Sequence, residues 1–111
     1  CYIVTSKKLQ NFHFQLKVVF LQEKFIEREL VSRLKKVGVE SIKFEVLGKR
    51  GMPDRIILIP GGRVVFAEVK SPGEKLRPLQ EKRKRELENL GFKVYVIDSK
   101  TEIDELVKQI I

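Results

Sequence analysis

The spacing of hydrophobic residues predicts three helices. Apolar positions recur every three or four residues over residues 22–37, as on the buried side of a helix, and Gly38 ends the run. These positions are Ile26, Leu30, Leu34 and Val37. A second helix is predicted from Pro78, which suits a first helical turn, to about Leu90, and a third begins at Thr101.

The pattern before the first helix has two interpretations. Apolar residues alternate with other residues over residues 12–20, which predicts a half-buried strand. The competing interpretation extends the following helix backwards through this segment. We therefore treat residues 1–20 as an N-terminal extension, which is either an extra strand or a segment outside the functional unit, and residues 21–111 as the domain itself.

Four short strands are predicted between the helices. Residues 42–47 alternate in polarity. Residues 55–59 are nearly all apolar, and a turn at Pro60-Gly-Gly62 joins them to residues 63–70 as a hairpin. Residues 92–97 form the fourth strand. The order α-β-β-β-α-β-α predicts an α/β fold with a mixed sheet flanked by helices: three strands in a meander, then a crossover to the fourth.

The composition is that of a small basic domain. The chain has 111 residues, with 23 Lys and Arg against 15 Asp and Glu, so its net charge is +8. Such a surplus favours nucleic acid as the partner. A single cysteine and a single histidine exclude a disulfide framework and a metal cluster built on those residues. No apolar run is long enough to span a membrane, so we expect a cytoplasmic protein.

Three charged residues mark a candidate site at one end of the hairpin. Asp54 precedes the second strand, whereas Glu68 and Lys70 are two positions apart on the third strand and face the same side. Pairing the two strands through the turn brings all three together. Two carboxylates beside an ammonium group are suited to Mg²⁺ or Mn²⁺, which can lower the pKa of a bound water and offset charge on a phosphate.

The alternative is an ordinary ion pair between Glu68 and Lys70 on a solvated strand face. Two features weigh against it. The four residues before Glu68 are apolar on both sides of the strand, so its carboxylate should be partly desolvated, and unpaired burial of charge is costly. Asp54 also follows Pro53, which fixes the backbone at the strand entrance.

These motifs resemble the PD-(D/E)XK nuclease signature and, more closely, the virus-type replication-repair nuclease (VRR-NUC) family in its small stand-alone form. The resemblance runs from about Glu23 to Ile111. It rests on four segments in this order: Gly51-Met-Pro-Asp-Arg-Ile-Ile-Leu58, Gly62-Arg-Val-Val-Phe-Ala-Glu-Val-Lys70, Pro72-Gly-Glu-Lys-Leu-Arg-Pro-Leu-Gln80 and Leu90-Gly-Phe-Lys-Val-Tyr-Val96. It implies a restriction-endonuclease-like fold and hydrolysis of DNA phosphodiesters with Mg²⁺ or Mn²⁺ and no small-molecule cofactor.

The resemblance also assigns roles by position. Asp54 and Glu68 would be metal ligands, assisted by the main-chain oxygen of Val69. Lys70 would position the attacking water or stabilise the transition state, and Gln80 would orient groups around the site. Asp54, Glu68, Lys70 and Gln80 are thus the expected catalytic set.

The family has a further glutamate on its first helix. Glu27, at the edge of the apolar stripe, is the favoured metal ligand here, and Glu23, one turn earlier on the same side, is the substitute. Either could instead be a solvated helix residue. One departure from the family is Arg83, which falls within the buried stripe of the second helix, where it either extends past the core to solvent or contacts the scissile phosphate.

Basic residues near the predicted site are candidate contacts to DNA phosphates. They are Lys43, Lys49, Arg50, Lys75 and Arg77. The basic run at residues 82–85 is either a further contact or a solvated helix face. Because no base-reading motif is evident, we expect binding that selects DNA structure. Stand-alone members of the resembled family act as homodimers on branched DNA such as four-way junctions, which implies a homodimer that acts on branched DNA here. If the gene is carried by a phage, we expect the protein to act in the cytoplasm of the host.

A second class of function is a non-catalytic nucleic-acid-binding module that retains the nuclease-like fold. The presence of all four expected catalytic residues favours the enzyme, because a decayed nuclease would usually have lost at least one. A sequence-specific restriction enzyme is disfavoured, because a chain of 111 residues leaves no room for a recognition subdomain.

Overall fold

The computed structural model describes residues 2–111, with side chains from Gln10 onward. Its elements are α1 (Tyr2–Lys36), β1 (Glu40–Lys43), β2 (Arg55–Ile59), β3 (Arg63–Val69), α2 (Pro78–Asn89), β4 (Val94–Ile97) and α3 (Lys100–Ile110). This is the predicted element order. Of the helices described, none combines the length and the apolar character needed to cross a bilayer.

The four strands form one mixed sheet in the order β1-β2-β3-β4. The first three are antiparallel neighbours, and β4 lies parallel to β3, so the chain crosses over through α2 between them. The predicted α/β fold, with its meander and crossover, is confirmed. Arg55 pairs with Ala67 in the hairpin of β2 and β3, so the start of β2 and the end of β3 lie at the same edge of the sheet.

The core lies between one face of the sheet and the helices α1 and α3, which also contact each other. Side chains alternate along a strand, so every second residue of β2 and β3 faces this core. Its fully buried members include Leu30, Leu34, Ile57, Ala67, Ile97, Ile103 and Leu106. The packing of α1 onto the sheet fixes where the side chains of its C-terminal half lie relative to the hairpin.

The N-terminal segment is helical, so the predicted strand over residues 12–20 was wrong and the competing interpretation was right. Phe12, Phe14 and Phe20 are 60%, 63% and 57% exposed, so their alternation does not mark a half-buried face. A strand there would need a neighbour for its backbone groups, whereas a helix satisfies these groups within itself. The segment therefore continues the helix that follows it.

The first strand is also shorter than predicted, because β1 covers Glu40–Lys43 rather than residues 42–47. The Phe44 N–H still donates a hydrogen bond to the carbonyl oxygen of Asp54, at 2.7 Å. The chain then turns at Gly48, whose φ of 77° suits glycine. The connection between β1 and β2 is thus a long loop, and Asp54 is its last residue.

Candidate active site

The hairpin brings Asp54, Glu68 and Lys70 together at one edge of the sheet. Asp54 directly precedes β2, and its Oδ2 accepts a hydrogen bond from the Val69 N–H at 2.9 Å. Glu68 is the second-last residue of β3, and Lys70 is the first residue after this strand. The carboxylate of Asp54 is therefore held beside the Glu-Xaa-Lys segment by the strand register and by one backbone hydrogen bond.

These residues line an open, polar cavity of about 390 Å³. It is bounded by the end of the hairpin, by α1, and by the loop and first turn that lead into α2. Its lining residues are Glu23, Asp54, Glu68, Val69, Lys70, Glu74, Lys75, Arg77 and Gln80. Of the predicted catalytic and metal-binding residues, only Glu27 lies outside this cavity.

Gln80 links the site to the start of α2. Its side-chain nitrogen Nε2 donates to Glu68 Oε1 at 3.2 Å, and its oxygen Oε1 accepts from the Arg77 N–H at 2.8 Å. The second bond caps the helix, whose first residue is Pro78. Because both ends of the amide are engaged, Gln80 holds the Glu68 carboxylate in a fixed orientation.

Glu68 is in an unusual electrostatic environment. It is only 4% exposed, and burial raises its pKa to about 8, with further contributions from the charge of Asp54 and a hydrogen bond to it, against the opposing effect of Lys70. Lys70 is itself buried. A buried carboxyl group beside a second carboxyl group needs a proton or a cation to stabilise it.

The donor set fits a hard divalent cation. Asp54 and Glu68 supply carboxylate oxygens, which Mg²⁺ and Mn²⁺ prefer. In the part of the chain whose side chains are described, no three His, Cys, Asp or Glu residues are already arranged around one ion position. A cation bound here would therefore complete its shell with main-chain oxygen and water, as Mg²⁺ commonly does.

The two candidate glutamates of α1 have different surroundings. Glu23 lines the cavity, and its pKa is raised by burial, by the charge of Glu74 and by that of Asp54, against the opposing effect of Lys70. Glu27 instead pairs through Oε2 with Arg55 Nε at 3.4 Å, and through Oε1 with a lysine of its own helix at 3.6 Å. The sequence favoured Glu27, whereas the contacts place Glu23 nearer to the other carboxylates.

Helix α2 supports the loop that ends in Asp54. Gly51 lies against Leu79: a Cβ there would come within 2.8 Å of Leu79 Cγ and 2.9 Å of its carbonyl oxygen. Arg83 donates from Nε to the Arg50 carbonyl oxygen at 2.9 Å and pairs with Glu86 at 2.8 Å. Arg83 thus fastens the loop to α2, a role that neither of the sequence-based interpretations included.

The predicted basic contacts are distributed around the cavity. Lys75 and Arg77 line it, and Lys43 lies in a smaller adjoining cleft that also contains Asp54. Lys49 and Arg50 are exposed on the loop before Asp54. Within the run at residues 82–85, Lys84 pairs with Glu88 at 3.3 Å, as on a solvated helix face.

The acidic Glu74, which also lines the cavity, was missed by the sequence analysis. Its only signal is its place in the short loop between the Glu-Xaa-Lys segment and α2.

Comparison with known proteins identifies relatives of this chain. The family profile of the VRR-NUC domain matches residues 4–101. The chain is 43% identical over 79 residues to "Putative nuclease p44" of Acyrthosiphon pisum secondary endosymbiont phage 1, an alignment that covers 71% of this chain and 85% of that protein. A solved structure described as a VRR_NUC domain superposes with a TM-score of 0.74 at 25% identity, covering 78% of this chain and 95% of the other.

The close approach of Gly51 to Leu79 predicts a destabilised variant. Gly51→Ala should lose about 1–3 kcal/mol of unfolding free energy in urea, because alanine adds a clash to the cost of a positive φ. Gly48→Ala is the matched control, because Gly48 also has a positive φ (77°) but no atom within 4 Å of its Cβ position. Equal losses in the two variants would contradict the packing described.

The environment of Glu68 predicts the pH dependence of stability in metal-free protein. Its pKa is about 8 in the folded chain against an ordinary 4.5, so the folded state binds more protons between these values and stability falls as pH rises through that window. With EDTA present, the melting temperature of Glu68→Gln should therefore fall less over that range than that of the unsubstituted protein. Glu105→Gln, at an exposed position, is the control, and three parallel curves would contradict the prediction.

Proposed function

Since the chain belongs to the VRR-NUC family and is therefore a nuclease, we propose that it is an endonuclease that hydrolyses phosphodiester bonds of branched DNA with Mg²⁺ or Mn²⁺. The observation that carries the proposal is the pair of carboxyl groups, Asp54 and Glu68, held beside Lys70 in one open cavity, with the pKa of Glu68 raised to about 8. Groups with strongly shifted pKa values in a cleft are typical of catalytic sites.

Three groups of this chain would hold the cation directly: the carboxylates of Asp54 and Glu68 and the main-chain oxygen of Val69. From α1, the carboxylate of Glu23 borders the same cavity and would hold the cation through a bound water. We prefer Glu23 to Glu27 because Glu27 is engaged by Arg55. When bound, a divalent cation supplies a Lewis acid that lowers the pKa of a water and offsets phosphate charge.

The remaining groups have distinct tasks. The ammonium of Lys70 is placed to hold the attacking water or to stabilise charge on the phosphate, because it borders the same cavity. Gln80 keeps the Glu68 carboxylate oriented. Lys75 and Arg77, at the cavity wall, and Lys49 and Arg50, on the loop, are suited to contacts with neighbouring phosphates.

The proposal of branched DNA rests on the family resemblance and on the charge distribution. The basic residues lie around an open cavity and not on a helix whose side chains could read base edges. They would therefore recognise the DNA backbone and its shape. Four-way junctions are the substrate to test first, with linear duplex as the comparison.

We also propose that two copies act together, as the resemblance implies. An apolar groove of about 440 Å³ runs between α1, the loop after β3 and the loop after β4. Val18, Leu21 and Phe25 of α1 line one wall, and Leu21 and Phe25 are more than half exposed. A symmetric interface that uses the same groove of each copy would cover this surface.

The nuclease proposal is tested by cleavage of a labelled four-way junction and a linear duplex in Mg²⁺, Mn²⁺ or EDTA. Cleavage should require the metal and prefer the junction, and Asp54→Asn and Lys70→Ala should lower the rate at least about a hundredfold. Glu23→Gln should raise the metal concentration for half-maximal rate about tenfold, whereas Glu27→Gln should leave it within about twofold.

The same assay separates the alternatives. Cleavage that persists in Asp54→Asn protein would refute the proposed site, and junction binding without cleavage in either metal would favour the non-catalytic module. A larger effect of Glu27→Gln than of Glu23→Gln on the metal requirement would show that Glu27, and not Glu23, is the glutamate of α1 that helps to bind the metal.

The proposed dimer surface predicts that one charge placed in the apolar groove prevents the dimer from forming. Leu21→Asp should convert a dimer into a monomer in light scattering coupled to size-exclusion chromatography, because it buries a carboxylate in an apolar interface. Gln15→Asp adds the same charge to an exposed position of α1 outside the groove. A monomeric unsubstituted protein, or a dimer that survives Leu21→Asp, would contradict the proposed surface.

A further inference from the structure

A second, smaller cleft adjoins the catalytic cavity. Its volume is about 160 Å³, and it shares Glu23, Asp54 and Val69 with the larger cavity. Its other lining residues are Phe20, Lys24, Glu27 and Lys43. It is smaller than the roughly 300–1,000 Å³ of clefts that take whole small-molecule ligands, so its occupant is a small group attached to something outside it.

Phe20 is the unusual residue of this cleft. Its ring is 57% exposed although it lies on α1 only three residues before Glu23, directly beside the proposed metal site. The ammonium of Lys24 lies 5.6 Å from the centre of the ring, within the range of a cation–π contact. An exposed aromatic ring at the rim of this cleft is a platform on which a planar group can stack.

Three carboxylates and two ammonium groups line the cleft. The carboxylates of Glu23 and Asp54 also border the catalytic cavity, where the cation is proposed to bind. The third carboxylate, Glu27, is paired with the ammonium of Lys24 at 3.6 Å. Lys43, on β1, is exposed and provides the remaining ammonium group. An exposed aromatic ring with an ammonium group in the same cleft matches a nucleotide, whose base has a π-face and whose phosphate is an anion.

We propose that this cleft binds one unpaired nucleotide next to the scissile phosphate, with its base stacked on Phe20 and its phosphate facing Lys43. The inference rests on the proposed function, because it places the nucleotide beside the Asp54 and Glu68 site. A base that is paired within a duplex is already stacked between its neighbours and cannot enter so small a cleft. The site therefore selects DNA in which a base at the cut is free, as at a flap, at a gap or at a branch point whose last base pair has opened.

The competing use of Phe20 is as part of an apolar contact with another protein. The apolar groove, however, is lined by Val18, Leu21 and Phe25, and Phe20 is not among its lining residues. Phe14 provides a matched control, because it is 63% exposed on the same helix and lines neither the cleft nor the groove. A contact with protein would not depend on whether the DNA contains an unpaired base.

The test is binding of the full chain, in EDTA, to a DNA fork that carries 2-aminopurine as the unpaired nucleotide at the branch, with fully paired duplex as the comparison. Phe20→Ala should weaken fork binding about tenfold and leave duplex binding within about twofold, because stacking of a base on an aromatic ring is lost. Phe14→Ala should bind both DNAs like the unsubstituted protein, and Phe20→Trp should restore fork binding.

Two further readouts report the contacts themselves. Quenching of 2-aminopurine fluorescence should accompany binding of the unsubstituted protein and of Phe20→Trp, and should be absent with Phe20→Ala. Lys43→Gln should make the plot of log affinity for the fork against log salt concentration less steep by about one unit. This is the change expected when one contact between an ammonium group and a phosphate is lost. Circular dichroism spectra and melting temperatures like those of the unsubstituted protein establish that each variant is folded.

Equal losses in Phe20→Ala and Phe14→Ala, or equal losses on fork and duplex, would overturn the stacking proposal. These outcomes are independent of the proposed function, because no metal is present and binding alone is measured. A protein that cleaves junctions but shows no special effect of Phe20→Ala would refute the nucleotide cleft and leave the nuclease intact. A protein that stacks the base but never cleaves would refute the nuclease proposal instead.

Discussion

The pairing of β2 with β3 is the constraint on which the site depends, because it sets two carboxyl groups side by side. Asp54 and Glu68 repel one another when both are charged, and the burial of Glu68 increases the cost. The fold offsets this cost only in part, through the Val69 N–H that donates to Asp54 and the Gln80 amide that donates to Glu68. The remaining imbalance is the physical reason for proposing a cation at this end of the hairpin.

The surrounding elements hold this pair in place from two sides. Helix α1 is tied to the start of β2 by the partly buried pair of Glu27 and Arg55, and this contact sets the position of Glu23, one turn away. Helix α2 presses against the loop before Asp54 at Gly51 and fastens it through Arg83. These supporting contacts are made by residues that do not themselves line the cavity.

Much of this arrangement follows from the sequence because it depends on local pattern. The apolar run of residues 55–59 and the glycine turn after it fix the hairpin register, and register alone brings Asp54 to Glu68. Other features depend on tertiary packing. The apolar stripe of α1 leaves both Glu23 and Glu27 at its edge, so only the docked helix distinguishes them. The contact of Arg83 with a loop carbonyl has no periodic signal, and the alternation over residues 12–20 is as compatible with an exposed helix as with a strand.

The central claim is that the two carboxyl groups of the hairpin bind a divalent cation. Electron paramagnetic resonance of Mn²⁺ titrated into the purified chain measures this directly, because bound Mn²⁺ loses the sharp signal of the free ion. The account predicts saturable binding that disappears in the double variant Asp54→Asn, Glu68→Gln. Binding of undiminished affinity in that variant would contradict it.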